Sequence, residues 1–369
     1  MSISITRTGA AAVLVSALAL GAAACGGDDE GGGGGDGGGA KGAKIALLLP
    51  ESKTTRYEQQ DRPNFERRVD ELCPSCEVIY ANAEQDPARQ QQQAEQAITN
   101  GAKVIVISAV DVKSAASIVT RAKQSKIPVI SYGRLVSDAD LDHYVSIDPF
   151  KVGQQQGQSL LDALKSAGKT SPSVAMIHGS PTDSNAAPYK KGAHSILDPA
   201  GVKVVKEFDT PDWSPDKAQR EMEQTITSAG KDGFDGVYVA NDGMAGGAIA
   251  ALKGAGIDPA SRFVTGQDAE VAGVQRILTG EQLMTVYQPI TKIAETAAEL
   301  AVPLAQGKKA PDIAKARVNN GMKDVPSVLL PTIAITKDNI DVLIKDGFLK
   351  PDQICTSKYA SACADAGIQ

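Results

Sequence analysis

The chain is 369 residues long, 42% hydrophobic and 22% charged, which is apolar enough to bury two cores and excludes a disordered protein. Its formal net charge is −6 and no basic stripe runs along it, so nucleic acid and anionic membrane surfaces are excluded as general partners.

The amino terminus indicates where the protein works. Arg7 precedes an apolar run over 10–24 that is short for a membrane span and ends in small residues, the pattern of a secretory signal. Cys25 directly follows Ala22-Ala23-Ala24, which resembles a bacterial lipoprotein signal, although Ala22 stands where Leu is commoner. We therefore expect a signal peptide over 1–24 and lipidation at Cys25. A nearly pure Gly stretch follows, a tether over 25–43 with no means of forming a core.

From Lys44 onward, short apolar runs alternate with helical patterns. Strands are expected over 45–49, 78–81, 104–108, 129–132 and 144–147, with helices such as 86–100 and 113–125 between them. After Asp148-Pro149 the alternation resumes with a helix over 151–167 and strands over 174–178, 202–208, 237–240 and 263–266. Two such rounds predict an α/β fold of two Rossmann-like lobes with parallel sheets. The chain should cross between lobes at Asp148-Pro149, at Gln288-Pro289 and at Asn319-Asn320-Gly321. This assigns 44–148 plus 289–320 to the first lobe and 149–288 plus 321–351 to the second, with 352–369 as a tail. Polar residues fall at strand ends, where ligands bind in open α/β sheets. The clearest case is Val237-Tyr-Val-Ala followed by Asn241-Asp242, a pair placed to hold something small and polar, although Asp242 alone reads equally well as a helix cap.

Four cysteines remain after Cys25. An even count in an exported chain favours two disulfides; our expectation is Cys73–Cys76 with Cys355–Cys363, among the three pairings the sequence allows. Cys73-Pro-Ser-Cys76 has the form of a redox motif. It follows the helical segment 65–72, however, and at a helix's end the dipole disfavours a thiolate, so a structural staple is expected and not a thiol-disulfide enzyme. His143, His178 and His194 show no zinc-ligand spacing with these cysteines, and no metal or cofactor is expected.

Six motifs in one order carry a resemblance: Arg56-Tyr57 ahead of Asp61-Arg62, the run from Gly179 to Ala186, the run from Asn241 to Ile249, Gly266-Gln-Asp-Ala269, Met284-Thr-Val-Tyr-Gln-Pro-Ile290, and the run from Asn319 to Ser327. Together they resemble the type I periplasmic sugar-binding proteins of ABC importers, most of all the xylose-binding ones, over nearly everything from Lys44 to Leu349. The resemblance implies a two-lobed fold with a three-segment hinge that closes on a monosaccharide. It implies sugar contacts from Arg56, Tyr57, Gly133, Arg134, Asp183, Asn185, Trp213, Asn241, Asp268 and Gln288. Gly133 stands where the family has Asp, Gln288 where it has Lys, and Tyr57 where it usually has Trp, which implies a retuned pocket open to xylose, another pentose, a hexose or an alditol.

The residue types fit that chemistry independently. Vicinal hydroxyls donate and accept, so carboxylates and amides can take hydroxyl protons while Arg56 and Arg134 donate back in fork geometry. The apolar face of a sugar ring needs a flat partner, and Trp213 is the only tryptophan, set in a Pro-flanked loop. No nucleophile with an activating base emerges, so no enzyme is expected. The partners implied are a monosaccharide and the importer's permease and ATPase subunits, with the membrane reached only through the lipid and the protein a monomer. A sensor that passes the sugar signal to a chemoreceptor is the alternative.

Overall fold

A computed structural model describes residues 42–368; the expected signal, Cys25 and nearly all of the tether lie outside them. Among the described residues, the strands in chain order are β1 (Lys44–Leu49), β2 (Glu77–Asn82), β3 (Ala102–Ile107), β4 (Val129–Tyr132), β5 (His143–Ile147) and β6 (Ser173–His178). There follow β7 (Lys203–Asp209), β8 (Gly236–Val239), β9 (Thr285–Tyr287), β10 (Ala316–Asn319), β11 (Asp324–Leu330) and β12 (Ile333–Ile335).

The first sheet has the order β10-β11-β5-β4-β3-β1-β2, parallel except for the β10–β11 pair. Ile45 to Leu49 and Val104 to Ile107 are fully buried, as unbroken apolar runs covered on both faces should be. The second sheet begins β7-β6-β8, all parallel. Beside β8 the expected strand over 263–266 is not a regular strand, because Phe263 sits at φ 47 and breaks the extended backbone. The segment still links β8 to β9: Thr265 N–H donates to Val237 O at 3.1 Å, Leu283 N–H donates to Val264 O at 2.8 Å, and Gln267 bridges Val286. Antiparallel β12 then pairs with β9.

Two of the three crossings lie where the sequence puts them. Asp148 ends the first and caps the helix Pro149–Ser166, its Oδ1 accepting from Phe150 and Lys151 N–H. Gln288-Pro289 is the second, and the helix Ile290–Ala305 returns to pack on the helix Arg62–Leu72, held by Arg67–Glu295 and Arg68–Glu299 ion pairs at 2.7 and 2.8 Å. The third is corrected. Asn319-Asn320-Gly321 is the hairpin turn between β10 and β11, with Gly321 at φ 99, the left-handed backbone that an Asn-Gly turn uses. Because β11 pairs with β5 and β12 with β9, the third crossing comes at Pro331-Thr332, and 321–330 belongs to the first lobe rather than the second.

Both expected disulfides form, Cys73–Cys76 at the end of the helix Arg62–Leu72 and Cys355–Cys363. The tail is no appendage. Ile354, Cys363 and Ile368 bury against Val274, Ile277, Leu278 and Phe348 of the second lobe.

Candidate functional site

Between the lobes lies a cavity lined by Thr54, Arg56, Tyr57, Gly133 and Arg134 from the first lobe. Asn185, Tyr189, Trp213, Asn241, Gln267, Asp268 and Gln288 line it from the second lobe and the crossing. Nine of the ten expected residues therefore converge on one space, and all but Asp268 lie in connections after the carboxyl ends of strands, where a crevice opens. The cavity measures about 40 Å³, on a scale where one water needs roughly 10–15 Å³, so it suits one small molecule and no oligomer.

The first wall is built on an unusual turn. Tyr57–Asp61 is a π-helical segment, a widened turn that recurs at functional sites. It brings Asp61 beneath Arg56, whose Nε and Nη2 donate to the two Asp61 oxygens at 2.8 Å each. The Tyr132 hydroxyl also donates to Asp61. Burial alone would lower the Arg56 pKa, but the charge and hydrogen bonds of Asp61 and the charge of Asp268 outweigh it, and the guanidinium stays cationic. Its free Nη1 donates to Gln288 Oε1 at 3.1 Å, while Gln288 Nε2 donates to Asp268 Oδ1 at 3.0 Å. Gln288 thus bridges a cation and an anion, which a lysine could not do because it accepts nothing. Tyr57 is buried, and burial pushes its hydroxyl up to about 12, so it remains a donor.

Asp183 is the exception. It does not line the cavity. Its Oδ2 sits 2.7 Å from Arg134 Nε, a charge contact with the N–H aimed off the line, and its Oδ1 accepts from Asn185 N–H at 2.8 Å. Spent on these two partners, the carboxylate positions Arg134 from the opposite lobe. Arg134 is further fixed by Nη1 donating to Ala109 O at 2.9 Å. Asn185 Nδ2 donates to Gly133 O at 2.9 Å, and Gly133 itself takes φ 68.

In the second lobe, Asp212 and Trp213 both take positive φ, at 61 and 51, backbone costs that cluster at functional sites. The Trp213 ring passes so close to Gly179 that a Cβ there would lie 2.0 Å from it, so glycine is required. Tyr189 meets Trp213 edge-on at 6.3 Å. Trp213 Nε1 and Gln267 Oε1 are buried without a protein partner, unsatisfied polar atoms on the cavity lining.

The expected Asn241-Asp242 grip is only half right. Asn241 lines the cavity and caps the helix Asp242–Gly254, its Oδ1 accepting from Met244 N–H at 3.0 Å. Asp242 turns beneath it, accepting from Gln282 Nε2, Thr285 Oγ1 and Glu270 N–H at 2.7, 2.9 and 2.9 Å. Burial raises its pKa to about 7. Asp268 lies at φ 90 and caps no helix; burial raises its pKa while Arg56 opposes the shift.

Thr54, Asp61, Tyr189 and Gln267 were not singled out from sequence. Asp61 and Gln267 stand in the same motifs as Arg56 and Asp268, which is the available signal; Tyr189, within the helix Ala186–Leu197, has no such marker.

The lobes are shut. Val112 N–H donates to Thr182 O at 3.1 Å, Leu135 N–H to Ser184 Oγ at 2.8 Å, Gln85 Nε2 to Asp212 O at 3.2 Å and Gln60 Nε2 to Phe348 O at 3.2 Å, all from first lobe to second. No helix among the described residues is long and apolar enough to cross a membrane.

A family model described as a periplasmic binding protein domain matches residues 45–309. The chain is 38% identical over 320 residues to the D-xylose-binding periplasmic protein of Escherichia coli (strain K12), across 85% of this chain and 93% of that one. It is 31% identical to the multiple sugar-binding periplasmic receptor ChvE of Rhizobium radiobacter, across 84% and 92%. The crystal structure of an ABC transporter solute binding protein from Clostridium phytofermentans with bound beta-D-glucose matches with a TM-score of 0.75 and 28% identity, across 84% of this chain and 99% of that one.

Proposed function

The chain belongs to the periplasmic binding protein family as a type I sugar-binding member similar to the xylose-binding proteins, and from that premise we propose that it captures one monosaccharide by lobe closure and hands it to an ABC importer. The observation that carries this reading is the chain Asp61–Arg56–Gln288–Asp268, which joins both walls of one small polar cavity capped by Trp213. Such a site offers donors and acceptors around a ring and a flat face beneath it. The relatives named for xylose, for several sugars and for bound glucose support a monosaccharide, and a pentose such as xylose is the smallest of these. The protein carries out no catalytic step. It works as a monomer outside the cytoplasm, held to the outer face of the membrane by lipid on Cys25, and the closed pair of lobes is what the permease recognises.

The test is calorimetric titration of the purified protein with D-xylose, D-ribose, D-glucose, D-galactose, xylitol and myo-inositol. One-to-one binding of at least one monosaccharide is expected. Binding of none of them contradicts the assignment. Incorporation of radiolabelled palmitate by the wild type and its loss in Cys25→Ser tests the anchor.

A further inference from the structure

In the second lobe, outside the sugar cavity, three side chains from three different elements meet. His178 ends β6, Glu207 lies on β7, and His194 lies on the helix Ala186–Leu197. Met176 pairs with Glu207 across the sheet, and His178 is two residues on, so His178 and Glu207 project from one face. The helix sets His194 over that face with the imidazole rings stacked at 6.1 Å. One ring nitrogen of each histidine and one Glu207 oxygen all lie within 4.8 Å of one another.

We propose that His178, His194 and Glu207 form a binding site for a divalent transition metal of the zinc type, with a fourth position open to water. Both Nε2 atoms converge on the same Glu207 oxygen, at 2.8 and 2.7 Å. In a tetrahedral zinc site with bonds of about 2.0–2.1 Å, ligand atoms stand roughly 3.3 Å apart, so each contact opens by about half an ångström. Two imidazoles and a carboxylate are a donor set that zinc accepts, and with Glu207 about a third exposed the fourth position faces solvent.

The surroundings of His194 favour the metal. Its Nδ1 lies 2.9 Å from Asp198 Oδ1, so one nitrogen faces Asp198 and the other faces Glu207. With a metal bound, Nδ1–H donates to Asp198 and the Nε2 lone pair ligates, the carboxylate–histidine–metal relay that fixes a ligating ring. Lys190 Nζ competes at 3.4 Å from Glu207, but it already reaches Asp209 at 3.2 Å and can remain there. His178 is buried against Tyr238 at 5.2 Å and its Nδ1 has no protein partner, so its Nε2 contact with Glu207 is its only hydrogen bond. A metal here would tie β6, β7 and the helix together below the loops that carry Asn185 and Trp213.

The experiment is zinc titration of the full chain, purified without a polyhistidine tag, followed by calorimetry, with cobalt substitution followed by visible absorption. The wild type should bind one zinc ion, show the intense bands of four-coordinate cobalt and unfold at a higher temperature with zinc present. His194→Ala and Glu207→Gln, both at partly exposed positions, should each weaken zinc binding at least tenfold and abolish the cobalt bands. Sugar binding by the same two samples shows that they are folded. Zinc affinity unchanged in both variants, or a cobalt spectrum typical of six-coordinate ions, overturns the proposal.

Discussion

The Glu270 carboxylate of the second lobe accepts the Thr55 N–H of the first at 3.1 Å, so a buried acid forms part of the contact between lobes. Burial, together with the negative charges of Asp242 and Asp268, raises its pKa from about 4.5 to about 8, against the opposing pull of the Thr55 N–H hydrogen bond and, less, of Arg276. Opening the cleft returns Glu270 to water and toward its ordinary value. The closed state therefore binds the proton more tightly, and closure takes one up between about pH 5 and 8. Closure, and with it sugar affinity, should weaken as pH rises through that window, by up to about tenfold per unit. Calorimetry in buffers of different ionisation enthalpy should register the proton uptake, and Glu270→Gln should flatten the profile.

Asp61 never touches the cavity, yet it holds Arg56 in place with two hydrogen bonds. Asp61→Ala leaves a buried guanidinium without its main counter-charge, which costs about 3–5 kcal/mol. Urea unfolding should show that loss, and sugar affinity should fall with it. Asp61→Asn should fall between Asp61→Ala and the wild type.

Asp183 separates two models of the site. As a positioning residue for Arg134, its replacement by Asn should weaken binding of every sugar by a similar factor, about tenfold or more, because closure itself is impaired. If instead it gripped one hydroxyl, the loss would vary with the sugar's epimer at that carbon. A panel of epimers distinguishes the two outcomes.

Trp213 is the only tryptophan of the chain and faces the cavity, so its emission should report occupancy directly. Saturable change in fluorescence with added sugar is expected. Trp213→Ala should weaken binding by about 2 kcal/mol or more, while Trp213→Phe keeps a flat face and loses less. Gly179→Ala should mimic the Ala variant, since its added methyl drives the indole out of place.

Most of the cavity lining was legible because the ordered motifs carry it and several of its residues come just after apolar strands, as Arg134 does after β4 and Asn241 after β8. Side-chain direction was not. Asp183 and Asp242 sit in the same loops as Asn185 and Asn241, and only the packed structure shows that the carboxylates turn to Arg134 and to Glu270 N–H. The third crossing was misplaced for a similar reason. β11 joins β5 across nearly two hundred residues of chain, and such a pairing leaves no local trace, whereas the Asn320-Gly321 turn before it does. Tyr189 was hidden by helical spacing, which marks a buried residue without saying what it is buried beside.

The most direct measurement is a crystal structure of the protein grown with the tightest-binding monosaccharide of the panel. One sugar ring should occupy the cavity, with hydroxyls on Arg56, Arg134, Asn241 and Asp268 and a face against Trp213. An empty cavity under saturating sugar, or a ring bound outside it, would contradict the account.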